Sequence, residues 1–143
     1  MSINEKQDEI INEFEMFDDW MDRYQLLIDL GNGLEPLDER YKTDQNLIEG
    51  CQSRVWLQAD MVDGNVVYKA ESDAIIVKGI IALLIKVISN HTPDEIINSE
   101  LYFIDAIGLH EHLSPTRSNG LLSMLKQMRL YALVFKSQQD QRH

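Results

Sequence analysis

The sequence contains a single cysteine, Cys51, among its 143 residues. One thiol cannot form an internal disulfide, and without a second cysteine it is a poor basis for a zinc or iron–sulfur site. A chain with one cysteine fits the reducing cytosol better than an oxidising compartment. We therefore expect a cytoplasmic protein in which Cys51 is either an inert packed thiol or a reactive one.

The chain also has no long apolar run and no excess of basic charge. Its most apolar stretch, residues 74–88, is too short to cross a bilayer and contains Lys78 and Lys86. The first residues are acidic where a signal peptide would be basic and then apolar, so no leader is expected. The formal net charge of −11 argues against nucleic acids and anionic membrane surfaces as partners.

Metal-ligand and phosphate-binding motifs are missing as well. His110 and His112 lie two residues apart, which directs them to different sides of a helix, and no third ligand is evident near them. There is no phosphate loop, dinucleotide fingerprint or nucleophile elbow. A Ser–His–Asp or Cys–His arrangement stays open, because such groups assemble in space. We expect no metal ion.

The acidic charge is concentrated in the first third of the chain. Residues 1–50 hold 14 acidic and 4 basic side chains, whereas residues 51–143 hold 10 acidic and 9 basic ones. The acidic part could face a basic partner. The alternative is that aspartate and glutamate solvate the outer faces of two helices.

Helical and strand patterns alternate along the chain. Ser2 and Glu5 have the form of a capping box, and an Asp63-Gly64 pair between two alternating segments predicts a β-hairpin. The predicted helices cover about residues 2–15, 18–31, 72–89, 100–107 and 114 onward, with a further helix begun by Thr92-Pro93; the predicted strands cover 55–62, 66–70 and, before Cys51, 46–48.

The helix after the hairpin is apolar nearly all round, which predicts that it is the central, most buried helix, capped by Ser72 or Asp73. The last helix opens at Ser114-Pro115, and the polar tail from about residue 137 is expected to fray. The patterns therefore predict that residues 1–143 form one α+β domain. Its architecture would be a small antiparallel sheet of about three strands covered by helices on one face.

The residues around Cys51 offer the means to make its sulfur reactive. Gly50 lets the backbone bend tightly and lets another molecule approach the sulfur. Gln52 and Ser53 supply hydrogen-bonding groups, and Arg54 supplies a positive charge that favours a thiolate or persulfide anion. A lone cysteine is by composition more often a packing residue, so both interpretations stay open at this point.

Arg117 is a second candidate, in the first turn of the last predicted helix. An arginine at that place opposes the helix dipole. A residue placed against its local preference is a hint of function. The alternative is a structural ion pair with one of the many carboxylates of the chain.

Three motifs, in order along the chain, resemble the SufE family of sulfur-acceptor proteins, which work with cysteine desulfurases in iron–sulfur cluster assembly. They are NLIEGCQSRVW at residues 46–56, ESDAIIVKG at 71–79 and LSPTRSNGL at 113–121. The resemblance extends from about residue 5 to 136. One departure is Glu49, which places a negative charge two residues from the sulfur, where neutral polar residues are common in the family.

The resemblance implies a SufE/IscU-like fold and a function. Cys51 would carry a persulfide taken from a SufS-like cysteine desulfurase, which the chain would also stimulate, and Arg117 would be a supporting residue. The sulfur would pass to a SufBCD-like iron–sulfur scaffold complex. Pyridoxal phosphate would belong to the desulfurase, so the chain itself is expected to bind no cofactor. The loop that contacts the partner would consist of Gly50, Gln52, Ser53 and Arg54.

Three other functions stay open from the residues alone. The first is a scaffold that holds the nascent cluster, although that role usually needs three cysteine-type ligands and this chain has one cysteine. The second is a cysteine enzyme that acts on a small molecule without a protein partner. The third is a non-catalytic interaction domain in which Cys51 is inert.

Overall fold

The computed structural model describes residues 1–141 of the chain and confirms the α+β class. Within these residues there are seven α-helices and one two-stranded antiparallel sheet. The helices are α1 (Ile3–Glu15), α2 (Trp20–Asn32), α3 (Ile75–Ile88), α4 (Pro93–Asn98), α5 (Phe103–Ala106), α6 (Leu109–His112) and α7 (Pro115–Gln141), and the strands are β1 (Val55–Val62) and β2 (Asn65–Ser72).

Local sequence signals set several helix starts. Ser2 caps α1 in a capping box with Glu5, and Thr92 caps α4 in the same way with Glu95. The side chain of Asp19 accepts a hydrogen bond from the second residue of α2. These helices begin where the sequence predicts because each signal is complete within four residues.

The sheet is the predicted hairpin. β1 and β2 pair along their whole length, from Val55 opposite Ser72 to Val62 opposite Asn65. The Asp63-Gly64 turn between them has φ values of 53° and 84°, as a tight two-residue hairpin turn requires.

The prediction of a third strand at residues 46–48 is wrong. Asp44–Asn46 form a 3-10 turn, and only Leu47 pairs with the hairpin, through one isolated bridge to Trp56. The chain turns immediately before Leu47, so too few extended residues remain to form a ladder.

α3 lies at the centre of the core, as its all-round apolar character predicts. Ile80, Ile81 and Leu83 on this helix have no exposed surface. α2 crosses α3 at two glycines, and a Cβ on Gly31 would lie 2.9 Å from the amide nitrogen of Gly79. The backbones of α2 and α3 therefore touch with no side chain between them.

The last helix continues into the polar tail. α7 extends to Gln141, so residues 137–141, which the sequence predicts to fray, are helical, and residues 142–143 lie outside the described part. An ion pair between Lys136 and Asp94 of α4, 2.7 Å, holds this end of α7. The polar residues that follow are mostly acceptable helix formers, so the helix propagates beyond that contact. No helix within residues 1–141 has the length and apolarity that a membrane span requires.

Candidate functional site

Cys51 lies in a short loop that leads into β1. The base of this loop is closed by a hydrogen bond from the amide of Ile48 to the carbonyl oxygen of Val55, 2.9 Å, beside the bridge from Leu47 to Trp56. Residues 49–54, the Cys51 loop, therefore lie between two fixed ends.

The second end of the Cys51 loop is held through the backbone of Arg54. Its amide donates to Oδ1 of Asp73, 3.1 Å, and its carbonyl oxygen accepts from Oγ of Ser72, 2.8 Å. Because these two side chains bind the loop, α3 begins after Ala74 with no side-chain cap, and the prediction of Ser72 or Asp73 as the cap is wrong.

The sulfur of Cys51 faces α7. Cys51 is half-buried against the core, and its thiol donates a long hydrogen bond to the carbonyl oxygen of Gly120, 3.7 Å. A Cβ at Gly120 would lie 3.6 Å from the sulfur. The missing side chain at Gly120 therefore leaves space next to Sγ within an otherwise continuous helix.

Gly50 allows the Cys51 loop to lie directly on α7. Its φ is 89°, in the left-handed region where other residues are strained. A Cβ at Gly50 would collide with Oγ of Ser123 on α7. Glycine is therefore favoured at this position by the backbone conformation, and its lack of a side chain lets the loop approach Ser123 closely.

The structure places Cys51 and Arg117, which are distant in sequence, on the same cavity. This cavity has a volume of about 460 Å³ and is open to solvent on one side. It brings together three of the predicted loop and support residues around Cys51, while Gly50 and Arg54 do not line it. The lining residues are Cys51, Gln52, Ser53, Ala74, Val77, Ser114, Thr116, Arg117, Gly120 and Met124.

The electrostatics of Cys51 differ from the prediction. Burial raises the pKa of the Cys51 thiol above its ordinary value, since a thiolate would lose hydration in this position. Arg54, expected to favour the thiolate, is bound through its backbone by Ser72 and Asp73 and does not line the cavity. The inward-facing sulfur is therefore a protonated thiol at neutral pH.

We expect the alkylation of Cys51 by iodoacetamide to have its pH midpoint at a higher pH in the folded chain than in the chain unfolded in urea. The reason is that burial keeps the thiol proton bound to higher pH, and only the thiolate reacts. The midpoint of the pH–rate profile, rather than the absolute rate, separates this effect from simple steric protection. Coinciding midpoints in the two states would contradict it.

The same shift has a consequence for stability. A group whose folded pKa is raised by burial stabilises the fold fully below its unfolded pKa, and that contribution is lost as the pH rises through the folded pKa. At alkaline pH, the free energy of unfolding should therefore fall less steeply with rising pH in a chain that has serine at position 51.

The sequence patterns assign no role to Gly120 or Ser123 of α7. Gly120 lies beside the sulfur of Cys51, and Ser123 lies beside Gly50. A signal for Gly120 exists, because a glycine inside a long helix is locally unfavourable and suggests a close approach. Ser123 carries no such signal, since serine is common on helix surfaces. Only the packing of the loop on α7 identifies it.

His91, His110 and His112 do not line the Cys51 cavity. His112 stacks on Trp20 with ring centroids 3.9 Å apart, and both ring nitrogens of the buried His91 lie against backbone carbonyl oxygens. In the part of the chain that the structure describes, no group of three or more His, Cys, Asp or Glu side chains could hold a metal ion. His143 lies outside that part.

Comparison with known proteins gives one family and several relatives. The model of the family described as SufE, Fe-S metabolism associated domain, matches residues 8–132. A SufE-like protein of Synechocystis is 40% identical over 127 residues, which cover 89% of this chain and 80% of that protein. A SufE-like protein of Rhizobium meliloti is 39% identical, with 85% and 91% covered.

One longer relative and one solved structure are also similar to this chain. The SufE-like protein 1, chloroplastic/mitochondrial, of Arabidopsis thaliana is 42% identical over 129 residues, 90% of this chain but 35% of that protein. The solution structure of a hypothetical protein from Thermus thermophilus has a TM-score of 0.74 and 21% identity, covering 89% of this chain and 93% of that one. At that identity the likeness shows the fold alone.

Proposed function

The chain belongs to the SufE family and has a role in Fe-S metabolism, and from this premise we propose that Cys51 accepts sulfur, as a persulfide, from a SufS-like cysteine desulfurase. The observation that carries the proposal is the position of Cys51. The only thiol of the chain borders a solvent-open cavity that it shares with a guanidinium group, Arg117.

The chemistry is a transfer of one sulfur atom between two thiols. The Cys51 thiolate attacks the outer sulfur of the persulfide on the desulfurase, and a new S–S bond forms on Cys51. The old S–S bond breaks, its electron pair stays on the cysteine of the desulfurase, and that cysteine leaves as a thiolate. No external oxidant or reductant is needed. Pyridoxal phosphate, which releases sulfur from free cysteine, belongs to the desulfurase and not to this chain.

The Cys51 loop must move for this reaction. With the sulfur facing α7, burial favours the neutral thiol, which is a poor nucleophile. Docking of the desulfurase would turn the loop outward, restore hydration to the sulfur and lower its pKa. Opening of the loop and activation of the thiol are therefore the same step. After transfer, the loop returns and shields the persulfide from small thiols and oxidants.

Arg117 supports the loaded state. A persulfide is more acidic than a thiol, so it is an anion at neutral pH, and it would sit in the cavity that Arg117 lines. A nearby cation stabilises that anion, whereas the neutral thiol gains little from it. The hydroxyl groups of Ser114 and Thr116 line the same cavity and can donate hydrogen bonds to it.

The remainder of the pathway is part of the same proposal. The persulfide on Cys51 would be passed to an iron–sulfur scaffold complex of the SufBCD type, with the same exchange chemistry. Cytoplasmic location is proposed on chemical grounds, because a persulfide carrier with one thiol needs a reducing compartment.

Incubation with a desulfurase and free cysteine, followed by intact-mass analysis, tests the proposal directly. We expect the chain to gain the mass of one sulfur atom, on the peptide that contains Cys51 and in a form that a reductant removes. A chain that gains no sulfur under conditions in which the desulfurase turns over would refute it. Turnover of a small molecule without any desulfurase would indicate a cysteine enzyme instead.

Arg117→Ala should weaken sulfur acceptance more than it weakens folding. Loss of a cation beside an anionic sulfur in a partly solvated site is expected to lower the rate or yield of persulfide formation roughly fivefold. Arg117 is exposed, so the free energy of unfolding should change by less than about 0.5 kcal/mol. Stopped-flow transfer rates and urea unfolding measure the two quantities.

Arg40→Ala is the matched control, because Arg40 is also exposed, interacts only with the neighbouring Asp38 and Tyr41 side chains at the surface, and does not line the cavity. It should leave both quantities unchanged. A large loss of melting temperature with normal transfer in Arg117→Ala would make Arg117 a structural residue.

A further inference from the structure

α7 carries two neighbouring stripes, an inner one that is buried in the core and an outer one that lines a surface groove. The inner stripe recurs at helical spacing and is buried. Its members are Leu121, Met124, Met128 and Ala132. The outer stripe has the same spacing; three of its four leucines are exposed, and Leu125 is partly buried against the core. Its members are Leu122, Leu125, Lys126, Arg129, Leu130 and Leu133.

The outer stripe and Ile97 of α4 form a groove of about 390 Å³. Leu122 is 53% exposed, Leu130 is 42% exposed and Leu133 is 52% exposed, so three leucines of one groove face solvent. Single exposed leucines are ordinary on protein surfaces, but several that line one groove indicate a binding site.

The charge of the groove is opposite to that of the chain. The chain has a net charge of −11, yet the groove is lined by two cations, Lys126 and Arg129, and by no carboxylate. Lys126 makes no salt bridge within residues 1–141. The groove therefore combines an apolar surface with two positive charges, of which that of Lys126 is not paired in a salt bridge among the described residues.

Arg129 is fixed in the wall of the groove. One terminal nitrogen donates to the carbonyl oxygen of Ser99, 2.9 Å, so the guanidinium cannot turn freely into solvent. Its Nε is buried and is without a hydrogen-bond acceptor among the described residues. Arg129 therefore contributes a positive charge at a fixed position in the wall of the groove.

We propose that the groove between α4 and α7 binds an amphipathic helix of a partner protein, with its apolar side chains in the groove and its carboxylates beside Lys126 and Arg129. The stripe from Leu122 to Leu133 is about 16 Å long, which matches about three turns of a partner helix. A second copy of this chain fits less well, because a symmetric contact through this groove would bring two sets of cations together.

The groove is separate from the sulfur site. None of its lining residues lines the Cys51 cavity. A helix in the groove would therefore leave Cys51 accessible, and the proposal does not depend on sulfur transfer. It adds a second surface through which the chain can be held in a complex. Lys126 and Leu130 of this surface also line a neighbouring cavity that Glu49 of the Cys51 loop borders.

Fluorescence anisotropy with two labelled, hydrocarbon-stapled helical peptides tests the proposal on the whole chain. Both peptides have leucines one turn apart over three turns; the first has glutamates beside the leucines and the second has lysines in their place. We expect the acidic peptide to bind about tenfold tighter than the basic one, because only it complements Lys126 and Arg129. Lys126→Glu should reduce or reverse this preference.

Leu130→Glu places a charge in the groove and should weaken the acidic peptide about tenfold. Met21→Glu is the control, since Met21 is 72% exposed on α2, away from the groove, and should change nothing. Circular dichroism verifies that both variants fold, and both should still accept sulfur at Cys51 if that function holds.

Four results would overturn the proposal. They are no peptide binding, equal binding of the two peptides, a dimer in sedimentation equilibrium that Leu130→Glu dissociates, and binding to phosphatidylglycerol vesicles that Leu130→Glu abolishes. The dimer would make the groove a self-interface, and the vesicle result would make it a lipid-binding surface.

Discussion

Cys51→Ser will abolish sulfur acceptance and leave the fold intact. The serine oxygen cannot form a persulfide, and the chain has no other thiol to replace it. The substitution changes the side-chain volume little, and Oγ can still donate to the Gly120 carbonyl that now accepts from the thiol. We expect the free energy of unfolding to change by no more than about 1 kcal/mol.

Two measurements test the Cys51→Ser variant. Intact-mass analysis should show no added sulfur after incubation with a desulfurase and cysteine, and the desulfurase should lose its stimulation when no reductant is added. Cys51→Ala should show the same two losses, because the requirement is for sulfur and not for a polar group. If the serine variant still stimulated the desulfurase without reductant, Cys51 would not be the acceptor.

Gly79→Ala should have the largest effect on stability. The new Cβ would lie 2.7 Å from the carbonyl carbon of Leu27 and would collide with its oxygen. These are backbone atoms of α2, so no flexible side chain can move aside. We expect a loss of roughly 2–3 kcal/mol from overpacking, even though alanine is intrinsically the better helix former by about 1 kcal/mol.

Thermal and urea unfolding measure this loss, which corresponds to a decrease in Tm of roughly 6–12 °C for a domain of this size. Gly33→Ala is the control at the C-cap of α2, because the atom nearest to a new Cβ there is the Leu30 carbonyl oxygen at 3.4 Å and the φ of Gly33 is an ordinary −82°. It should change the free energy of unfolding by less than about 0.5 kcal/mol. A Gly79→Ala chain as stable as the original would show that α2 and α3 separate easily.

Features whose signals lie within a few residues could be predicted from the sequence. The capping boxes at Ser2 and Thr92 and the Asp63-Gly64 turn each contain their own physical cause, so the structure has them where the patterns indicate. The burial of α3 also follows from its own residues, since a helix that is apolar all round has no face suited to water.

Features that depend on distant partners could not be predicted from local pattern. Ser72 and Asp73 are good helix caps by residue type, but their oxygens bind Arg54, 18 and 19 residues away. Leu47 extends like a strand residue yet finds only one pairing partner. In each case a tertiary contact decides between two locally acceptable conformations.

The candidate site also has features that the local sequence predicts and features that depend on distant contacts. The residues beside Cys51 suggest a reactive thiol, but they give the wrong direction for its pKa, because the desolvation comes from the packing of the loop against α7. The common cavity of Cys51 and Arg117 joins residues on separate elements. Only the resemblance of ordered motifs to a family connected them before the structure did.

The hydrogen bond between Ile48 and Val55 turns the Cys51 loop into a tether of fixed length. Cys51 is three residues from Ile48, and a fully extended chain covers at most about 3.6 Å per residue, so its Cα can reach about 11 Å from that anchor. In the proposed transfer, this reach would limit how deep below its docking surface the donor sulfur of a desulfurase can lie. A donor sulfur placed deeper would have to be brought outward by the desulfurase itself.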